Sequence, residues 1–140
     1  MRAVRTIIAV GGDALLAFHV VDDHVHLLLR GDRRATDELA ARIRRALERD
    51  LGVMLADPRP SLVEGDRLAR NRLEYVLCQN EEHNLDRDDA LWLGSSLWDY
   101  LGLRSIDGYQ PDVRPLVPWY RPRHALSKIG LPELKMCEAT

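Results

Sequence analysis

The sequence predicts an α+β domain, on three observations. Two short apolar, β-branched runs flank an acidic dipeptide, two later segments carry apolar residues at helical spacing, and 140 residues suffice for one domain with a real core. The first run is Leu15-Leu16-Ala17-Phe18-His19-Val20-Val21 and the second is His24-Val25-His26-Leu27-Leu28-Leu29, with Asp22-Asp23 between them as a tight turn. They read as a hairpin-like pair of strands.

Before the pair, residues 3–10 suit a short helix that Gly11-Gly12 would end. After it, Thr36 with Asp37 and Glu38 marks a helix start, with acids placed where the amino end of a helix favours them. Leu39, Ile43 and Leu47 then form the apolar stripe, and Arg42, Arg45 and Arg49 turn away from it. Pro58-Arg59-Pro60 breaks that pattern. Ser61-Leu62-Val63 is a short strand candidate, and Gly65-Asp66 opens a helix whose stripe is Leu68, Ala69, Leu73, Val76 and Leu77. Residues 91–96 read as a turn into a short helix ending near Gly102. From Ser105 onward Pro111, Pro115, Pro118, Pro122 and Pro132 deny long regular elements, so the division expected is a domain over 1–104 and a Pro-rich tail over 105–140.

Composition narrows the class. With 46% hydrophobic and 30% charged residues the chain is an ordinary globular protein, and its longest apolar runs are strand-sized, too short for a membrane span. A net charge of −2 argues against indiscriminate coating of nucleic acid. The start has no secretory signal, and Cys78 and Cys137 are too few for a disulfide framework, which together imply a reducing, cytoplasmic compartment.

Two groups carry chemistry. In His24-Val25-His26 the period of a strand sends both imidazoles to one face, where each can give one nitrogen to a divalent cation. In the helix after Asp66, Tyr75 and Gln79 stand at i and i+4, on a face with Asn71 and off the apolar stripe. A phenol with a pKa of about 10 is a poor nucleophile at neutral pH, and a neighbouring cation corrects that. The plain alternative is a boundary tyrosine beside two structural histidines. His83 reads as a capping or surface residue, His124 sits in a Pro- and Arg-rich stretch, and Tyr100, Tyr109 and Tyr120 have no partner at i+4 like Gln79.

Residues 16–29, with the histidine–hydrophobic–histidine pattern of His24, Val25 and His26, resemble the corresponding strand of the IS200-like and REP-associated single-tyrosine (HUH) transposases. Ser61-Leu62-Val63-Glu64 and Tyr75-Val76-Leu77-Cys78-Gln79-Asn80 are similar to that family's last core strand and tyrosine helix. Gly94-Ser95-Ser96 through Tyr100-Leu101-Gly102 resembles the Trp-Ser-Ser and Tyr-x-Gly stretch that follows. The likeness spans about residues 15–104. It departs from the family at Asp22-Asp23, where Pro-Asn is usual, at Gly94 in place of the Trp, and at Asn80-Glu81, where a Pro often stands.

The resemblance implies a ferredoxin-like antiparallel sheet with helices on one face. It implies Mg²⁺ or Mn²⁺ held by His24, His26 and Gln79, and attack by Tyr75 on single-stranded DNA next to a hairpin. The product would be a 5′-phosphotyrosine and a free 3′-hydroxyl, with Arg42, Arg45 and Arg49 touching DNA. The family also has a strand and a full helix before residue 15, where only residues 1–13 stand here, so its N-terminal strand is expected to be missing or truncated. The sheet edge left open would pair in a homodimer or be covered by Val113, Leu116, Val117 and Trp119 of the tail. A histidine-triad hydrolase is excluded because Leu28 stands where its third histidine belongs. The alternative is a transposase-derived DNA-binding protein that no longer cuts.

Overall fold

A computed structural model describes residues 1–21, 23–77, 94–100 and 104–111. Helix α1 (Arg2–Gly11) buries Val4, Ile7 and Ile8, the i, i+3, i+4 set that a helix brings to one side. It ends at Gly12, whose φ of 52° lies in the left-handed region that glycine tolerates best. Gly11 is needed for a second reason: a Cβ there would lie 2.8 Å from the Cβ of Leu15, blocking the close passage of α1 into the first strand. A single 3₁₀ turn (Gly12–Ala14) then leads into β1 (Leu15–Val20).

Strand β1 pairs antiparallel with β2 (Val25–Leu29), with Phe18 opposite Leu27, His19 opposite His26 and Val20 opposite Val25. The pair is the hairpin expected, with the acidic dipeptide between its strands, and an irregularity between Leu15 and Ala17 shifts the register at its far end. His24 stands one residue before β2, its carbonyl accepting from the Val21 amide at 2.9 Å.

Helix α2 (Arg33–Leu51) starts three residues earlier than the sequence suggests. Asp32 is the cap, its carboxylate accepting from the Ala35 amide at 2.8 Å, while the Thr36 hydroxyl donates back to the Asp32 and Arg33 carbonyls. Asp37 and Glu38 therefore fall beyond the first turn and pair with Arg33 and Arg34 one turn back. At the far end Gly52 closes α2 in the left-handed conformation, and the Thr6 hydroxyl of α1 donates to Asp50 at 2.8 Å. That bond, with the Arg49 guanidinium, holds the Asp50 carboxyl below its usual range.

Helix α3 (Asp66–Leu77) buries Ala69, Leu73, Val76 and Leu77 as expected, but Leu68 faces solvent. Ser61-Leu62-Val63 is not a strand. It belongs to an irregular stretch from residue 53 to 64, with Leu62 67% exposed and no described strand to pair with. Residues 97–100 form α4 (Leu97–Tyr100), the short helix expected before Gly102.

Directly opposed residues of an antiparallel pair share a face, so Ala17 and Leu28 point one way while Phe18, Leu27, Val20 and Val25 point the other. Each face meets its own core. Ala17 and Leu28 pack with the buried stripe of α3, Leu97 and Tyr100; Phe18 and Val20 pack with α1, α2 and Tyr109. The α+β class is thus as the sequence predicts, with one correction. Helices cover both faces of the pair rather than one, because both faces of the hairpin carry large apolar side chains.

The outer edge of β1 is covered from the C-terminal side of the chain. The Val20 amide donates to the Gly94 carbonyl, the Ser96 amide donates to the Phe18 carbonyl, and the Ser96 hydroxyl bonds both backbone groups of Phe18. The hydroxyls of Tyr100 and Tyr109 both donate to the Leu16 carbonyl. Every second residue of that edge is therefore satisfied. Burial, with Tyr100 beside it, pushes the Tyr109 phenol far above the ordinary tyrosine range, which keeps it protonated as a donor. Ile106 and Tyr109 join the core. Val113, Leu116, Val117 and Trp119 lie outside the described residues, and no described segment pairs with the outer edge of β2.

Asp99 fixes this cover. Its carboxylate, 2% exposed, is paired with the Arg104 guanidinium, which also donates to the Ser95 carbonyl at 2.7 Å. Arg104→Ala should leave a buried carboxylate without its cation and lower unfolding free energy by about 3 kcal/mol, read from urea melts. A loss under about 1 kcal/mol would show that the ion pair does not hold the segment. Among the described residues no helix is long and apolar enough to cross a membrane.

Candidate functional site

The site lies on the α3 side of the hairpin. His26 faces α3 because it shares a face with Ala17 and Leu28, and His24, two residues earlier, turns to the same side. The two imidazoles meet: Nε2 of His24 is 2.8 Å from Nε2 of His26, and their rings stand edge to face with centroids 4.6 Å apart. From α3, Tyr75 brings its ring to 5.4 Å from that of His26, at an interplanar angle of 89°. Its neighbours Val76 and Leu77 are buried in the core beneath, which sets its direction. The fold therefore brings His24, His26 and Tyr75 together from residues about fifty positions apart. Gln79 lies outside the described residues.

Asp23 completes the arrangement. Its carboxylate accepts from Nδ1 of His24 at 2.5 Å, which places the His24 proton on Nδ1 and leaves Nε2 with its lone pair directed inward. In the neutral tautomer of His24, its Nε2 accepts from Nε2–H of His26. Asp23 thus orients a histidine from the turn.

Does this pair fit a cation? Two nitrogens bonded to one ion at about 2.1 Å and about 90° are separated by about 3 Å. The observed 2.8 Å is close to that spacing. A proton on Nδ1 of His26 in place of Nε2 frees the second lone pair. The donor set suits a divalent ion that accepts imidazole, with remaining positions left to oxygen. Among the described residues no group of three or more His, Cys, Asp or Glu side chains is gathered for a metal, so of the described residues only these two imidazoles could serve as ligands here.

A groove of about 500 Å³ opens beside the site. Its walls are β2, the first turns of α2 with Arg33 and Thr36, the stretch from Pro58 to Val63, and Arg72 and Tyr75 of α3; His26 reaches it as well. The Arg72 guanidinium lies over the Tyr75 ring, 6.0 Å from its centroid. Arg42, Arg45 and Arg49 are exposed, but none lines this groove. At about 100° per residue they fall on one flank of the buried stripe of α2, while Arg33, Thr36 and Ala40 fall on the other. The structure does not bring those three arginines to the site, and Arg49 is paired with Asp50 at 2.8 Å.

Two features escaped the sequence reading although signals for them existed. Arg72 precedes Tyr75 by three residues on a helix, the spacing that brings side chains together. His19, 2% exposed, falls opposite His26 once the hairpin is centred on the acidic dipeptide. No family model matches the chain, and neither the curated proteins nor the solved structures contain a match to it.

Proposed function

We propose that this protein nicks and rejoins single-stranded DNA through a covalent tyrosyl intermediate, as its resemblance to single-tyrosine transposases suggests. The observation that carries the reading is the meeting of a phenol with two converging imidazoles, one of them held by a carboxylate.

His24 and His26 would hold Mg²⁺ or Mn²⁺, with Gln79 as the further ligand the resemblance supplies. Such a cation, when bound, draws charge from a phosphate and makes it a better electrophile. The chain's own residues do the rest. Asp23 keeps the His24 ring in one tautomer and orientation. Helix α3 holds the Tyr75 ring edge to face with the His26 imidazole, so a nucleophile on that ring would start near the two histidines. The phenolic oxygen forms a bond to phosphorus as the bond from phosphorus to the 3′-oxygen breaks. The phenol's proton is released and the departing oxygen gains one, leaving a 5′-phosphotyrosine and a free 3′-hydroxyl. One phosphodiester is exchanged for another, so rejoining to a new 3′-hydroxyl requires no nucleotide triphosphate.

The test is a labelled DNA hairpin with an unpaired flank, incubated with the protein and Mn²⁺ or Mg²⁺. Cation-dependent cleavage within the unpaired flank is expected. Binding with no cleavage under either ion would instead favour a DNA-binding protein derived from such an enzyme.

A further inference from the structure

The charges around the groove identify what it holds. Of the cations on its walls, Arg33 is paired with Asp37, 3.8 Å away on the same helix. Arg59 and Arg72 remain, on opposite elements, and no described carboxylate lies within salt-bridge distance of either. Two arginines off the groove do find acids: Arg34 pairs with Glu38 and Arg44 with Asp57. The groove thus carries an excess of two guanidinium groups and ends on Tyr75 and His26.

We propose that Arg59 and Arg72 grip successive phosphates of an unpaired DNA strand and lead it along this groove to the Tyr75 hydroxyl. The proposal rests on the reading of Tyr75 as nucleophile. A guanidinium offers a planar fork of donors that matches a phosphate, and contact with the Tyr75 ring limits the orientations of Arg72 before DNA arrives. A phosphate held by Arg72 is necessarily close to the phenol. Arg59, set between Pro58 and Pro60, is carried on backbone whose φ angles are restricted, so its direction is also constrained. Charged grooves beside an aromatic ring are the usual means of tracking a single strand without reading its sequence. Arg59 and Arg72 are therefore positioning residues, distinct from the flank of α2 that bears Arg42, Arg45 and Arg49.

Binding of a fluorescein-labelled oligothymidylate to the full chain, followed by anisotropy over a salt series, tests this. Each phosphate contact to a single strand contributes about −0.7 to the slope of log affinity against log salt. R59A/R72A should therefore flatten that slope by about 1.4, and R59K/R72K should restore most of it. In the nicking assay the alanine pair should raise KM more than it lowers kcat, because the strand is held less while Tyr75 is untouched. An unchanged slope in a folded R59A/R72A protein overturns the proposal, as does a slope that falls only when Arg42, Arg45 and Arg49 are replaced. Either result leaves the nicking reading intact if the wild-type protein still cuts. A wild-type protein that neither binds nor cuts the strand overturns both.

Discussion

Replacing either His24 or His26 with alanine is expected to reduce cation-dependent nicking by about 10³-fold or more while leaving the melting temperature nearly unchanged. In the proposed site the two Nε2 atoms, 2.8 Å apart, would be the converging ligands, and one imidazole alone would not keep an ion at a fixed point on the phosphate. An ion's contribution to a phosphoryl transition state is worth several kcal/mol, and a loss of about 4 kcal/mol is about 10³-fold in rate. The rings are only partly buried, so the core tolerates their removal. Asp23→Asn should have a smaller effect, about 10- to 100-fold, because it only frees the His24 ring to turn. The order His24→Ala, then Asp23→Asn, then wild type in rising activity distinguishes an oriented ligand from a residue that merely makes the turn. Initial rates across a Mn²⁺ titration supply the measurement; equal rates for all three proteins would remove the histidines from the site.

Tyr75→Phe should abolish nicking altogether, on the order of 10⁵- to 10⁶-fold, as expected when a covalent nucleophile is removed. The substitution keeps the ring, and with it the edge-on contact to His26 and the contact with Arg72. DNA binding should consequently change little. A Tyr75→Phe variant that cuts at an appreciable rate would imply attack by water or by another tyrosine. Tyr100 and Tyr109 are unsuited to that role, since both hydroxyls are buried and donate to the Leu16 carbonyl.

Much of this architecture was legible in the sequence for a definite physical reason. Residues 15–29 and 66–77 are governed by short-range periodicity: alternation about a turn gives the hairpin, and apolar recurrence gives α3. Those same periods put His24 and His26 on one side of the hairpin and Tyr75 on α3, so most of the site followed from them. What escaped depends on distant partners. Ser61-Leu62-Val63 has strand-like composition, yet a strand exists only where another pairs with it, and none of the described ones does. The start of α2 is ambiguous in the sequence because Thr36 and Asp32 are both good caps, and only backbone geometry chooses between them. The resemblance implies DNA contact by Arg42, Arg45 and Arg49, but the face they occupy is fixed by which side of the helix meets α1 and the sheet, which places them off the groove. The cover over β1 arises from Ser96, Tyr100 and Tyr109, up to 93 residues away in sequence, a separation no local pattern can encode.

The central claim is that the Tyr75 oxygen becomes joined to DNA. A single-stranded substrate carrying a fluorophore at its 3′ end, incubated with the protein and Mn²⁺ and then denatured, should yield protein that retains the fluorophore through gel electrophoresis. Intact-mass measurement should show the protein increased by the mass of the 3′ fragment, and peptide mapping should place the adduct on Tyr75. The companion product should end in a free 3′-hydroxyl that a polymerase can extend. Cleavage products bearing an unattached 5′-phosphate, with no protein adduct at any time point, would contradict the account, as would an adduct mapped to a residue other than Tyr75.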